Sequence, residues 1–299
     1  MDLSVIIVSF NVREYLKQCL QSVIKASENI DCEIFVVDNN SGDESCKMVE
    51  IEFPEVILIR NITNPGFSAA NNKAIKMASG RYILLLNPDT LIEADTLTKC
   101  IEFMDQKTNA GATGVRMVNG DGIFLRESKR SFPSPVTAFF KTFGFSSLFP
   151  RSTLTNKYYL SEIDSSKLSE AEIISGAFMF IRSEALDKTG LLDENFFMYG
   201  EDIDLSYRLT MAGYINYYYP ETQIIHFKGK STPRDNYDDI LHFYKSMRVF
   251  FSKRVREGKY KIWKYIIIPG IYFRQALALF KRFLEINFKR LKYKPDSDT

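Results

Sequence analysis

Tyr82 to Leu86 is a run of five apolar residues that ends abruptly at Asn87, Pro88 and Asp89. An uninterrupted apolar run of this length is typical of a strand that is buried on both faces of a parallel sheet. Because proline has no N–H to donate and disfavours a helical conformation in the preceding residue, the strand ends there. An amide and a carboxylate are therefore predicted at the carboxyl end of a central strand, where open α/β sheets bind ligands. The same residues would also suit a solvated turn, so this stretch alone assigns no site.

The same pattern of an apolar run followed by polar residues occurs three times earlier in the chain. Strands are predicted at Leu3 to Phe10, Glu33 to Val37 and Val56 to Ile59, with helical or turn patterns between them. Alternating strands and helices predict an α/β fold with a mostly parallel central sheet flanked by helices. Parallel strands bring their carboxyl ends to one edge of the sheet. The polar residues expected to form a crevice there are Ser9, Asn11, Asp38, Asn64, Asn87 and Asp89.

Two common nucleotide-binding motifs are absent from the sequence. No G-x-G-x-x-G motif follows the first strand and no Walker A motif occurs, so dinucleotide binding and phosphoryl transfer by those routes are disfavoured. The four cysteines form no CxxC pair, and with two histidines they give no zinc signature. If the crevice binds a nucleotide, we expect a metal ion to neutralise much of the phosphate charge.

The second half of the chain carries a further strand and a second group of charged residues. Ile173 to Ile181 is predicted to be a strand with Gly176 inside it, where glycine often marks the close approach of a ligand or a partner. Apolar spacing predicts a helix that begins near Glu201 and has Asp202 in its first turn. The two carboxylates suit catalysis, but acids are common at helix starts without such a role. The sequence also leaves two roles for His226, that of a metal ligand and that of a structural residue.

Taken in their order along the chain, these motifs resemble those of the family-2 glycosyltransferases, which are inverting enzymes with a GT-A fold. Each motif is weak alone, whereas their common order over about residues 3 to 231 is specific. The motifs are Val8-Ser9-Phe10-Asn11, Val37-Asp38-Asn39-Asn40-Ser41, Asn64-Pro65-Gly66-Phe67 with Asn71-Asn72, Asn87-Pro88-Asp89, Ser175-Gly176-Ala177, Gly200-Glu201-Asp202, and His226 before Gly229 and Ser231. Three of these motifs are most similar to the rhamnosyltransferase-like branch: Asn64-Pro65-Gly66-Phe67, Asn87-Pro88-Asp89 and the segment that contains His226.

The resemblance implies an activity and a donor pocket. A sugar, such as the deoxyhexose rhamnose, would pass from a dTDP- or UDP-sugar to a hydroxyl of a glycan or lipid-linked acceptor in cell-surface polysaccharide synthesis. The residues implied to bind the nucleotide-sugar are Ser9, Asn11, Asp38, Asn64, Phe67, Asn71, Asn87 and Asp89.

The resemblance also implies a metal site and a catalytic carboxylate. A Mg²⁺ or Mn²⁺ cofactor would be bound by Asp89 and His226, because Asn87 stands where the usual pattern has Asp. Asp202 would be the general base, with Glu201 as the neighbouring catalytic carboxylate. Gly176 and Glu201 would lie on the acceptor side.

The C-terminal part of the chain differs from the rest in charge. From Leu241 to Thr299 there are 15 Lys and Arg against 4 Asp and Glu, a net charge of +11, whereas the first 240 residues carry −9. The predicted domains are a GT-A domain at 1–232, with a nucleotide-sugar half (1–107) and an acceptor half (108–232), and a basic amphipathic helical extension at 233–299. A basic tail predicts an anionic partner, either nucleic acid or an anionic membrane surface.

The membrane is the favoured partner, because no recognised nucleic-acid motif accompanies the basic tail. Basic and polar residues interrupt the apolar segment from Ile262 to Phe280, which is therefore expected to lie on a bilayer rather than cross it. The alternative is a helix packed on the catalytic domain or on a second subunit. With no secretory signal pattern, the expected location is the cytoplasm, peripheral on the inner face of the cell membrane.

Two further points remain open from the sequence. The alternative function is a catalytically silent sugar-nucleotide-binding or scaffolding subunit at the membrane. The oligomeric state has no signature in the sequence.

Overall fold

The computed structural model describes residues 1–132, 160, 164–229, 237–254 and 264–292. These residues fall into two compact units, one formed by the described residues up to 229 and one by those from 237 onwards. The predicted domain boundary between 232 and 233 lies outside the described residues. Most of the stretch Ser131 to Ile163, whose three prolines and many aromatic residues predict an irregular excursion or a mobile flap, also lies outside the described residues.

Nine strands within the described part of the first unit form one mixed sheet. The strands are β1 (Leu3–Ser9), β2 (Cys32–Asp38), β3 (Ile57–Arg60), β4 (Tyr82–Leu86), β5 (Thr90–Ile92), β6 (Ala110–Val118), β7 (Ser169–Glu170), β8 (Phe178–Arg182) and β9 (Ile215–His226). The helices are α1 (Arg13–Ser27), α2 (Ser45–Glu52), α3 (Phe67–Ile75), α4 (Thr96–Gln106), α5 (Ser183–Thr189) and α6 (Glu201–Met211). The strand order is β3-β2-β1-β4-β8-β6-β9-β5, and β7 pairs with β9.

The predicted nucleotide-sugar half contains four strands that pair in parallel. Strands β3, β2, β1 and β4 pair in parallel, with Ser9 at the end of β1 opposite Asp38 at the end of β2. All five residues of β4 are buried, because helices cover both faces of the sheet. The carboxyl ends of these strands therefore meet at one edge, and the polar residues that follow them meet there too.

Side chains of β1 alternate between two apolar cores. Leu3, Val5 and Ile7 belong to one cluster, which also contains buried residues of α1, α2 and α4. Ile6 and Val8 belong to a second cluster, with residues of α3 and α6. Full burial of such a side chain stabilises the fold by about 1.5–3 kcal/mol. The unbroken apolar sequence of the strand is thus explained by a core on each face.

The strands of the predicted acceptor half add antiparallel pairs to the sheet. Strand β8 runs antiparallel to β4 and β6, whereas β9 starts parallel to β6. The far end of β9 then pairs antiparallel with β5, which places His226 opposite Thr90. Since Thr90 directly follows the Asn87-Pro88-Asp89 stretch, this register brings a histidine from near the end of the unit to the end of β4.

The structure corrects one predicted strand. Strand β8 begins only at Phe178, so Gly176 lies in a turn before it and not inside a strand. The residues before the turn are held by other partners: the Ile173 N–H donates to the Arg130 carbonyl at 3.0 Å, and the Ile174 N–H donates to Ser206 Oγ at 3.2 Å. The predicted helix start at Glu201 is confirmed.

The second unit contains two helices in its described residues, α7 (Tyr237–Arg254) and α8 (Lys264–Lys292). They pack together through Phe251 of α7 and Ile267 and Ile271 of α8, all of which are buried. Across the described residues of the chain, neither these helices nor any other combines the length and hydropathy needed to span a membrane.

Candidate active site

The base of the predicted donor pocket is formed by Ser9 and Asp38 at the ends of β1 and β2. Both side chains are buried, with relative exposures of 0% and 2%. One Asp38 oxygen accepts from the Ser41 N–H at 2.8 Å, whereas its Oδ1 and Ser9 Oγ have no hydrogen-bond partner among the described residues. Buried polar atoms without partners are costly, so these two oxygens favour a ligand that supplies donors. The N–H of a pyrimidine ring is one such donor.

Asn11 lies two residues after the end of β1 and fixes the loop after β2. Its backbone has a φ of 54°, in the left-handed region that asparagine tolerates better than most residues. The Asn11 N–H donates to Ser41 Oγ at 2.9 Å, and its Oδ1 accepts from the Gly42 N–H at 2.8 Å. The exposed Asn11 side chain is therefore used to join two loops, which leaves contact with a nucleotide as a prediction.

A network of asparagines joins the loops that follow β2 and β3. Asn39 Nδ2 donates to Asn64 Oδ1 at 3.1 Å, and Asn39 Oδ1 accepts from Asn61 Nδ2 at 2.8 Å. Asn64 Oδ1 also accepts from the Gly66 N–H at 2.9 Å. Asn39 is thus a central residue of this edge that the sequence reasoning missed. Its place directly after Asp38 was the available signal, but the polar run there also suits an ordinary turn.

Phe67 and Asn71 belong to the start of α3. The Asn71 amide donates to the Phe67 carbonyl within the helix at 2.9 Å, while its buried Oδ1 has no hydrogen-bond partner among the described residues. The Phe67 N–H donates to the Phe197 carbonyl at 2.6 Å. Gly66 precedes them with a φ of 91°, and a Cβ there would lie 2.5 Å from the Phe197 oxygen. The glycine lets the donor-side loop reach the segment that leads into α6.

Asp89 and His226 are brought together at the end of β4, as the resemblance implies. His226 Nε2 lies 3.4 Å from Asp89 Oδ1, and the two residues are 8% and 1% exposed. The turn between β4 and β5 contains Asp89, and Thr90 Oγ1 stabilises it by donating to the Asn87 carbonyl at 2.7 Å. Buried His226 Nδ1 has no hydrogen-bond partner among the described residues.

A carboxylate suits Mg²⁺ or Mn²⁺, with further oxygen ligands coming from phosphate and water, and an imidazole ligand favours a transition metal over Mg²⁺. The donor set therefore fits a divalent ion that is bound together with a diphosphate. In the part of the chain that the structure describes, no group of three or more His, Cys, Asp or Glu could hold a metal by itself.

Asp202 in the first turn of α6 is held from three sides. Arg130 Nη2 lies 2.6 Å from Asp202 Oδ2, and the two side chains are 13% and 14% exposed. The Gly176 N–H donates to the same oxygen at 3.3 Å, and Oδ1 accepts from the Ile203 N–H at 2.8 Å. A carboxylate can accept about four hydrogen bonds, so these three contacts leave capacity for a hydroxyl.

Arg130 is the second functional candidate that the sequence reasoning missed. It directly precedes residues 131–163, and no periodic sequence pattern there connects it to α6. Its contact with Asp202 arises because the Arg130 carbonyl accepts from the Ile173 N–H, three residues before Gly176. Only the three-dimensional pairing of these segments identifies it.

Glu201 differs from Asp202 although the two are adjacent. Burial and the negative charge of Asp202 raise the pKa of Glu201 to about 8. Its Oε2 is buried and has no hydrogen-bond partner among the described residues. A Cβ at Gly176 would lie 3.8 Å from Glu201 Oε1 and 3.4 Å from the Asp202 Cβ. The turn at Gly176 therefore faces both carboxylates, and Glu201 is the one that stays protonated near neutral pH.

Sequence comparison identifies relatives over most of the chain. The profile described as "Glycosyl transferase family 2" matches residues 4–190. An N-acetylglucosaminyl-diphospho-decaprenol L-rhamnosyltransferase of Mycobacterium tuberculosis is 27% identical over 263 residues, which cover 84% of each chain. The rhamnosyltransferase WbbL of Escherichia coli is 26% identical over 282 residues, covering 88% of this chain and 91% of the relative.

Solved structures share the fold at low sequence identity. A mannosyltransferase from Pyrobaculum calidifontis, in complex with GDP-Man and Mn²⁺, aligns with a TM-score of 0.59 at 18% identity, over 98% of this chain and 81% of that one. Residues 1–349 of S. aureus TarS align with a TM-score of 0.57 at 20% identity, over 92% and 71%. This chain spans 43% of a longer TarS structure. The predicted GT-A type of fold is confirmed.

Proposed function

This chain belongs to glycosyl transferase family 2, and from that premise we propose that it is an inverting enzyme that transfers a deoxyhexose from a nucleotide-diphosphate sugar. Rhamnose is the proposed sugar, because two relatives that match over most of their length are named as rhamnosyltransferases. The proposed donor is a dTDP- or UDP-sugar. The proposed acceptor is a hydroxyl of a glycan or a lipid-linked glycan in cell-surface polysaccharide synthesis.

One observation carries the proposal: a short chain of hydrogen bonds connects the donor motif to the acceptor motif. The Asn87 N–H donates to the Ala177 carbonyl at 3.0 Å. The adjacent Gly176 N–H donates to Asp202 Oδ2 at 3.3 Å. The strand end that carries Asp89 is therefore attached to the turn that holds Asp202. A sugar transfer requires a diphosphate-binding group and a general base in such proximity.

On the donor side, the residues bind and orient the nucleotide-sugar. Asp38 and Ser9 offer buried oxygens to the base and the ribose, and Asn87 offers an amide. Asp89 and His226 would hold a Mg²⁺ or Mn²⁺ ion on the diphosphate. When bound, such an ion stabilises the negative charge that develops on the leaving nucleoside diphosphate.

On the acceptor side, Asp202 takes the proton from the attacking hydroxyl. Arg130 and the Gly176 N–H hold Oδ2 in place, and Oδ1, which accepts one hydrogen bond from the Ile203 N–H, keeps a further lone pair for the acceptor hydroxyl. Glu201 is the poorer base near neutral pH, because its raised pKa keeps it protonated. The anomeric carbon is attacked directly, so its configuration inverts.

We also propose that the C-terminal extension contacts the membrane, where a lipid-linked acceptor would be found. No feature of the described residues favours the alternative of a silent subunit, since Asp89 and Asp202 are both present and buried or nearly so. An oligomer is not required by this proposal.

The proposal is tested by incubating the purified protein with a panel of nucleotide sugars and measuring the release of nucleoside diphosphate. The panel contains dTDP-rhamnose, other dTDP-sugars, UDP-sugars and GDP-mannose. Saturable release from dTDP-rhamnose is the expected result. Saturable release from a different donor would show that the transferred sugar is the one carried by that donor. Nucleotide binding without release from any donor, in the presence of Mn²⁺ and a candidate glycan acceptor, would favour the silent subunit.

A further inference from the structure

Helix α8 has two different apolar faces, and among the residues that the structure describes only one of these faces is buried. Ile267 and Ile271 are fully buried against α7. Seven other large apolar side chains of the same helix are between 37% and 73% exposed. We call these seven residues the apolar ridge: Tyr265, Tyr272, Phe273, Leu277, Phe280, Phe283 and Leu284.

The ridge is continuous along the helix. Its members are seven, one, four, three, three and one residues apart in turn, and these spacings keep them on one side of a helix with 3.6 residues per turn. From Tyr265 to Leu284 it is about 28 Å long at 1.5 Å per residue. Five of its seven side chains are aromatic. Isolated exposed apolar residues are ordinary, whereas a contiguous stripe of this size marks an interaction surface.

Positive charge accompanies the ridge. The sequence of α8 contains seven Lys and Arg and one acidic residue, Glu285. The Arg248 guanidinium of α7 lies 4.5 Å from the centre of the Tyr272 ring at the margin of the ridge. Lys281 is 78% exposed at its side chain, and its neighbour Glu285 lies 4.0 Å away. An exposed ion pair of this kind contributes little to the stability of the fold. The positive charge of Lys281 therefore remains available to an anionic partner.

We propose that the apolar ridge is a docking surface for an anionic lipid bilayer, with α8 lying in the plane of the interface. Aromatic and aliphatic side chains would enter the boundary of the acyl chains, while Lys and Arg meet the phosphate groups. A second copy of the chain is a poorer occupant, because pairing two ridges would bring together two helices with seven basic residues each. This proposal deepens the proposed function, on which it depends for the idea of a membrane-resident acceptor.

The test is flotation of the full-length protein with phosphatidylcholine vesicles, with and without phosphatidylglycerol. The ridge variant carries Phe273→Ser and Phe280→Ser. The matched control carries Ile51→Ser and Met211→Ser, because both of those apolar side chains are 69% exposed in the other unit. A charge variant, Arg274→Gln with Lys281→Gln, tests the electrostatic part and serves if the ridge variant does not fold.

We expect the wild type and the control to float with the anionic vesicles. The ridge variant should bind about tenfold more weakly or worse, and the charge variant should lose binding to anionic vesicles specifically. Equal flotation of the wild type and the ridge variant, or no flotation of the wild type, would overturn the proposal. So would a wild-type dimer that the ridge substitutions dissociate without any vesicle binding.

Flotation needs no donor, so its outcome is separate from that of the proposed function. Release of nucleoside diphosphate from a soluble donor should be equal in the wild type and the ridge variant, because the ridge lies outside the donor and acceptor residues. If no donor is turned over, the flotation result still decides whether the apolar ridge binds an anionic bilayer.

Discussion

Substitution of Asp202 by Asn is expected to lower turnover by about 10²–10⁴-fold, the usual contribution of a positioned general base. The asparagine keeps the size of the side chain and its ability to accept from the Gly176 N–H, but it cannot take a proton. Affinity for the nucleotide should remain within about twofold of wild type, because the proposed donor-binding residues lie in the other predicted half. Steady-state kinetics and calorimetric titration of the nucleoside diphosphate measure the two quantities.

Glu201→Gln is the matched control for that substitution. Burial and the charge of Asp202 raise the pKa of Glu201 to about 8, so the residue is protonated near pH 7 and glutamine imitates its neutral form. We therefore expect a loss of turnover much smaller than that of Asp202→Asn. An inactive Glu201→Gln beside a nearly normal Asp202→Asn would show that the wrong carboxylate has been chosen. Normal activity of both variants would place the base elsewhere.

Removal of the divalent ion, or of Asp89, is expected to have an effect of comparable size. Charge stabilisation by a metal ion contributes several kcal/mol in the transition state, so EDTA and Asp89→Ala should each lower turnover by about 10²-fold or more. Mn²⁺ or Mg²⁺ should restore the chelated wild type but not Asp89→Ala. Nucleoside diphosphate release and thermal unfolding of each preparation provide the readouts.

The contribution of His226 separates metal binding from a structural role. His226→Ala should raise the Mn²⁺ concentration needed for half-maximal turnover while the protein stays folded. Asp121→Ala, which removes an exposed carboxylate of the tight turn after β6, is the control and should behave as wild type. Full activity of the wild type in EDTA would remove the metal from the account and leave Asp89 and His226 as a buried structural pair.

Much of the nucleotide half could be predicted because its physical causes are local. An unbroken apolar run such as Tyr82 to Leu86 is explained only by burial on both faces, and a proline fixes where it ends. Parallel pairing then places Ser9 beside Asp38 without further information. The acceptor half depends on long-range antiparallel pairing, which has no comparable local pattern. For that reason Gly176 was predicted inside a strand although it lies in a turn.

The candidate active site shows the same difference between features with a local sequence pattern and features that depend on long-range contacts. Asp89 and His226 were paired by resemblance, and the structure places their side chains 3.4 Å apart. Arg130 could not be found in the sequence, because its position depends on a backbone contact with Ile173 that spans 43 residues of sequence. The roles of the individual site residues remain predictions, and the substitutions above are their tests.

The stereochemistry of the transferred sugar distinguishes a direct displacement assisted by a single acceptor-side base from a double displacement. The sugar product formed from the active donor, either transferred to an acceptor or released to water, is examined by NMR before free sugar can mutarotate. We expect the anomeric configuration of the initial product to be inverted relative to the donor. A product with retained configuration would contradict it, because retention requires a second displacement or a front-face reaction in which Asp202 has no such role.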